Sequence, residues 1–130
     1  MKRSRLLQVL MSSILSVGAL CGAAFGQGTT SRVTGVVLDP SGAVVPGATV
    51  TLTNEATNVS FTSNTTDSGV YSFESVQVGT YTVAVEMAGF KKIVSTGNIL
   101  NINQPATVDV TLETGGVTEV VTVEGSADVV

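Results

Sequence analysis

Carboxylates are the most numerous ionisable side chains here: ten Asp and Glu stand against six Lys and Arg, with no histidine and one cysteine, Cys21. Without histidine, the Ser-His and Cys-His pairings that activate a nucleophile cannot be assembled, and ordinary zinc sites lose a preferred ligand. Asp39 stands in Asp39-Pro40-Ser41-Gly42 and Asp67 in Thr66-Asp67-Ser68-Gly69. In such turns an aspartate caps backbone amides far more often than it moves protons. Calcium at Asp67 would need the repeated acidic positions of a dedicated loop, which one Asp-Ser-Gly turn lacks. A glycosidase would need two carboxyl groups facing across a cleft, one of raised pKa, and the sequence marks no such pair. Hence no catalytic, cofactor-binding or metal-binding residue is assigned, and no enzyme activity is expected.

The first residues belong to export rather than to a fold. Lys2, Arg3 and Arg5 precede an apolar run over residues 6–20, and Ala24-Phe25-Gly26 places small residues where a signal peptidase reads. Residues 1–26 are therefore expected to be a helical signal peptide cleaved before Gln27. The alternative is an uncleaved anchor, since the run extended to Phe25 approaches the ~20 residues of a membrane-spanning helix. Gln8 and the serines at 12, 13 and 16 weaken it, and Leu20 stands where a lipidation signal at Cys21 wants Gly or Ala. Cleavage leaves three basic against ten acidic residues, a net charge of −7. Nucleic acid is then not expected as a partner, because only Lys91-Lys92 form even a basic pair, read as solvated or protecting a strand edge. The exported part holds no cysteine and must rest on one core of about 80–100 residues without a disulfide.

The periodicity of that part is two. Val50 and Leu52, Tyr71 and Phe73, Tyr81, Val83, Val85 and Met87, and Val108, Val110 and Leu112 each alternate with polar or small residues, the pattern of strands with one buried face. No stretch after Gln27 shows the three- and four-residue spacing of a helix. Pro40 and Gly42, Asp67 to Gly69, Gly79, and Ala88-Gly89 punctuate the strands. Strands are expected near 32–38, 48–53, 59–65, 70–75, 80–87, 91–95 and 106–112. The predicted fold is an all-β, seven-stranded antiparallel sandwich over 32–113, after a linker at 27–31. Phe61, Tyr71, Phe73 and Tyr81 all fall at positions expected to face the core, and Phe90 is expected to plug the end of the sandwich.

The Asp39-Pro40-Ser41-Gly42 turn, Pro46-Gly47-Ala48 before Val50 and Leu52, Thr66-Asp67-Ser68-Gly69 before Tyr71 and Phe73, Gly79-Thr80-Tyr81 and Ala88-Gly89-Phe90 come in an order that resembles the carboxypeptidase regulatory-like domain. The resemblance implies a prealbumin (transthyretin-like) sandwich rather than an immunoglobulin-like Greek key, a choice periodicity cannot make. It also implies a non-catalytic module. Starch-binding domains share a similar sandwich, so carbohydrate binding is suggested by analogy, although there is no tryptophan for a sugar platform. The sequons Asn58-Val59-Ser60 and Asn64-Thr65-Thr66 matter only in a eukaryotic secretory pathway.

After Leu112, Glu113-Thr114-Gly115-Gly116 reads as a flexible joint, followed by Val117, Thr118, Glu119, Val120, Val121, Thr122 and Val123. Residues 114–130 are thus a flexible linker and a segment that resembles the TonB box of Oar-like TonB-dependent outer-membrane receptors. There a signal peptide and a regulatory-like domain precede the plug and barrel. The resemblance implies strand addition to the TonB C-terminal domain through Thr118, Glu119, Val120, Val121, Thr122 and Val123. An eighth strand of the sandwich itself explains the same alternation equally well. Expected location is the periplasmic face of the outer membrane, or a secreted or cell-surface site. Membrane contact would come only through a barrel this sequence lacks, so it reads as a fragment of a longer frame or a short relative. The alternative function is a free-standing module binding carbohydrate or another surface protein.

Overall fold

A computed structural model of the chain describes residues 28–125 and 128–129; the expected signal peptide lies outside them. The strands are β1 (Thr30–Leu38), β2 (Thr49–Asn54), β3 (Ser60–Asn64), β4 (Val70–Gln77), β5 (Gly79–Glu86), β6 (Lys92–Leu100), β7 (Ala106–Thr107), β8 (Val110–Thr111), β9 (Val120–Glu124) and β10 (Asp128–Val129). They form two facing sheets, one ordered β10-β7-β1-β4 with β8 also on β1, the other β3-β2-β5-β6-β9. The all-β sandwich is as expected, and the alternation places its core. Val50, Leu52, Tyr71, Phe73, Tyr81, Val83, Val85, Val108, Val110 and Leu112 are buried, with Met87 and Phe90 packed partly against them. Thr30 and Ser31, assigned to a linker, already pair with Gln77 and Val76.

The purely antiparallel arrangement is corrected, because β7 and β8 run parallel to β1, and β9 runs parallel to β6. Side-chain alternation is the same in both strand directions, so the sequence pattern carries no information on this point. Direction comes from the crossovers. Residues 113–119 return the chain to the start of β6, fastened by Lys91 N–H to Glu113 O (2.8 Å) and Lys92 N–H to Glu119 O (2.9 Å).

The expected strand at 106–112 is interrupted, and Asp109 bridges the gap by accepting the Val36 N–H at 2.9 Å. Its carboxylate takes the place a ladder carbonyl would fill. Lys91 and Lys92 are more than a solvated pair: Lys91 lies 3.6 Å from Glu113 and 3.5 Å from Glu119, and Lys92 lies 2.8 Å from Glu86. Half-exposed pairs like these add little stability. They mark where the tail crossover meets the β5–β6 hairpin.

The Asp39 turn forms as its residues demand. Asp39 Oδ1 accepts the Ser41 hydroxyl (2.6 Å) and the N–H groups of Ser41 (2.9 Å) and Ala43 (3.0 Å), while Gly42 takes φ 85°. Asp67 has no such role. In its turn the Gly69 N–H meets Thr66 O and the Thr66 N–H meets Val70 O. The Ser41 hydroxyl, followed by the Ala43 N–H, holds the Asp39 carboxyl below its ordinary value of 3.8. The charged form is thus favoured in the fold, so its stabilisation is full above pH 3.8 and is lost as pH falls through the depressed folded value. Melting temperature followed against pH should show a shallower acid limb in Asp39→Asn than in the parent; superimposable limbs would refute the assignment.

Candidate functional site

A sandwich has two open sides, where the terminal strands of its sheets face each other. On one side β8 and β10 end one sheet and β9 the other; on the opposite side the ends are β4 and β3. The predicted partner-binding residues all lie on the first side. Thr118 sits in the turn at 117–118, the Glu119 N–H donates to Gly116 O (2.9 Å), and Val120 opens β9. Val120, Val121, Thr122 and Val123 pair with Lys92, Ile93, Val94 and Ser95 of β6. The expected flexible linker is a hydrogen-bonded crossover, in which Gly115 N–H also reaches Gly89 O and Thr114 bridges Phe90. Of the two readings of the tail, the chain adopts the added strand. Its hold is slight in side-chain terms: Val121 packs partly against the core, while Val120, Thr122, Val123 and Glu124 are exposed. Val121 and Val123 face a hollow of about 270 Å³ with Ile93, Ser95 and Val110.

The other side carries a site the sequence analysis missed. Phe61, expected in the core, is 48% exposed. Its parity was right, since it pairs with Leu52, which is fully buried on the inner face. What is missing is cover, because β3 ends its sheet and only the edge of β4 stands opposite. Phe61 therefore walls two adjoining clefts of about 350 and 300 Å³ that also share Ser75. The first is lined in addition by Asn54, Thr57, Val59, Gln77 and Tyr81; the second adds Ser63, Ser72, Phe73 and Glu74.

Local irregularities shape this mouth. Val33 pairs with Phe73 and Ser31 with Val76, so Glu74 and Ser75 together oppose Arg32, a β-bulge with Ser75 at φ 55°. A bulge re-aims side chains. Here it keeps both Phe73 and Val76 inward and turns Glu74 and Ser75 outward. Asn54 Oδ1 accepts the N–H groups of Ala56 (2.9 Å) and Thr57 (3.0 Å), shaping the β2–β3 loop, in which Asn58 also takes a left-handed φ of 59°. The Tyr81 hydroxyl donates to Gln77 O at 2.9 Å and closes the floor. Glu74, the one ionisable carboxylate of the two clefts, accepts the Ser72 hydroxyl at 2.6 Å. The mouth thus offers an aromatic wall, an apolar floor and a rim of hydroxyls and amides. One signal could have exposed it: Ser60–Asn64 has a single apolar side chain in five, which suits the end of a sheet better than its middle. Among the described residues no three Asp, Glu, His or Cys side chains gather as metal ligands.

A family model for the carboxypeptidase regulatory-like domain matches residues 32–113. The chain belongs to this family. The match runs from within β1 through β8, so in this member β9 and β10 add to the sheets of the regulatory-like domain from beyond its matched range. Solved structures share the fold at low identity, among them the following three. A proposed carbohydrate-binding protein from Bacteroides uniformis is 21% identical with a TM-score of 0.54, the alignment covering 65% of this chain and 42% of that one. Hydroxyquinol 1,2-dioxygenase from Pseudomonas putida is 12% identical with a TM-score of 0.56, over 71% and 59%. The Bacillus anthracis TIE protein is 21% identical with a TM-score of 0.51, over 66% and 17%. At these identities the likeness is one of fold, and the chain spans less than two thirds of each of the three. No curated protein matches the chain.

Proposed function

We propose that this regulatory-like domain is a non-catalytic, exported accessory module of an Oar-like TonB-dependent outer-membrane receptor, working in protein interaction or spacing at the periplasmic face. Membership of the family supports the domain's part in this reading. The order of a leader-like segment at 1–26, the domain, and a Val/Thr strand supports the context. The lack of any histidine, with no clustered ligand set among the described residues, supports a role without catalysis.

The observation that carries the partner assignment is the position of β9 at the end of its sheet, where Val121 is the one β9 side chain packed against the core. Because Val120–Glu124 is already paired with β6, the 118–123 segment reaches TonB by exchanging one ladder for another rather than as a free peptide. Undocking should therefore help binding. A Cβ at Gly125 would overlap the Asn98 carboxamide and lie 2.7 Å from Thr96 O, so Gly125→Ala should expel the tail while leaving the core folded. Titration with the periplasmic C-terminal domain of TonB should show weak binding by the full chain. Gly125→Ala should tighten it by about tenfold, because the competent state is no longer rare. Val121→Pro, lacking the strand N–H, should abolish it. Absence of binding by both the parent and Gly125→Ala would refute the reading.

A second reading, a secreted or surface module that binds carbohydrate or another protein, is favoured by the uncovered Phe61. The fold likeness to a proposed carbohydrate-binding protein supports it.

A further inference from the structure

We propose that the mouth between β3 and β4 is a binding site for a short uncharged glycan, with Phe61 as the surface on which a sugar ring stacks. The inference rests on the second reading above and gives it a place and a ligand class.

Independent observations converge on it. Phe61 is on the inner face by its pairing with Leu52, yet 48% exposed, so an aromatic ring is presented inside a concave mouth rather than on a convex surface. The C–H face of a pyranose is apolar and needs such a flat partner. Around it the rim is uncharged apart from Glu74, and is drawn from Asn54, Thr57, Ser63, Ser75 and Gln77. Each sugar hydroxyl both donates and accepts, and a rim of amides and hydroxyls answers in kind. Asn54 Oδ1 is occupied by two backbone N–H groups, which leaves its Nδ2 hydrogens for a ligand.

Charge separates this ligand class from others. The chain carries a net −4, yet these clefts contain only Glu74, whose Oε1 already accepts Ser72. A polyanion finds no counter-charge there, and a multiply cationic peptide finds only the single Glu74 carboxylate. Shape points the same way. Two hollows of about 350 and 300 Å³, joined at Phe61 and Ser75, are each at the small end of ligand-site volumes. Together they suit two or three linked sugars. The Ser75 bulge, with its left-handed φ, holds Ser75 outward at the rim shared by the two hollows, where regular alternation would have pointed it into the core.

The test is titration of the full chain, followed by backbone amide NMR, with neutral linear gluco-, manno- and xylo-oligosaccharides, their sulfated or sialylated counterparts, and an uncharged extended peptide. A neutral oligosaccharide should shift the amides of Phe61, Ser75 and Gln77. Affinity should fall at least tenfold in Phe61→Ala and survive in Phe61→Trp. Gln77→Ala, at an exposed side chain, supplies an independent loss should Phe61→Ala fold poorly. Binding of neutral glycans that ignores both Phe61 and Gln77 would overturn the site while sparing the second reading. Binding of none would overturn both. Binding of the charged counterparts alone, or of the peptide alone along the β3 edge, would overturn the ligand class.

Discussion

Gly35→Ala is expected to lower the melting temperature by about 15–30 °C, the largest single effect at a position far from either candidate surface. Gly35 lies mid-strand in β1 and pairs with Tyr71 of β4. A Cβ there would overlap the Val108 carbonyl oxygen and come within 2.7 Å of the Tyr71 ring and hydroxyl. Neither neighbour can move away. The Tyr71 hydroxyl donates to that same carbonyl at 2.5 Å, the ring is buried, and Val108 N–H is tied to Thr34 O at 2.8 Å. Overpacking of about 1–3 kcal/mol adds to the loss of a buried hydrogen bond worth a similar amount, giving roughly 3–5 kcal/mol. That is a large part of a typical domain stability of about 5–15 kcal/mol.

Tyr71→Phe is the control, because it removes the hydrogen bond without the clash and should cost only about 1–3 kcal/mol. It also has a pH signature. Burial, aided by the nearby Asp109 carboxylate, pushes the Tyr71 phenol above its ordinary value of 10.0. The folded state therefore favours the neutral phenol, and its stabilisation is complete below pH 10.0 and declines as pH rises beyond it. Thermal melts of the parent, Gly35→Ala and Tyr71→Phe at neutral and alkaline pH check all three expectations. A Gly35→Ala melt within about 5 °C of the parent would mean that the backbone gives way at no cost.

Asn98→Leu should be the next most damaging, at about 2–4 kcal/mol, or roughly 10–20 °C in melting temperature. Asn98 is 1% exposed, and its Nδ2 donates to Ser95 O (2.9 Å) and Tyr81 O (3.1 Å). The reason lies in the β5–β6 register. Tyr81 pairs with Asn98 but Val83 pairs with Ser95, so Thr96 and Gly97 form a bulge opposite Thr82, with Gly97 at φ 72°. Glu55 Oε1 grips the bulge from the neighbouring loop, accepting Gly97 N–H (2.8 Å) and the Thr82 hydroxyl (2.9 Å). Leucine fills the volume but returns no donor, leaving two buried carbonyls unsatisfied. Glu55→Gln, which acts on the same bulge from the exposed side, should cost far less. Equilibrium denaturation of the two variants checks this, and equal losses would show that Asn98 is not the buried support of the bulge.

Much of this molecule can be read from residue order. Alternation in 81–87 and 108–112 located the inward side chains, because a strand's period is two whatever it pairs with. Asp39, Gly42 and Gly69 marked turns, because their side-chain chemistry or lack of a Cβ acts within a few residues. Other features depend on partners distant in sequence. The tail offered two equal explanations, and pairing with β6 selected one. Asp109 bonding Val36, and Asn98 bonding Tyr81, are invisible without the register that brings them together.

Phe61 shows where the division falls. Its type and parity, set by local backbone geometry, assigned it to the inner face, and that assignment holds through its pairing with Leu52. Whether an inner-face ring is covered depends on which strand ends each sheet and how far the opposing sheet extends. Those are properties of the packed layers, in which β3 projects where only the β4 edge stands opposite. The chain's own pattern determined a two-layer β unit without histidine chemistry. The packing of the layers alone left an aromatic side chain open in a cleft with a single charged residue and drew the Val/Thr tail onto the far edge.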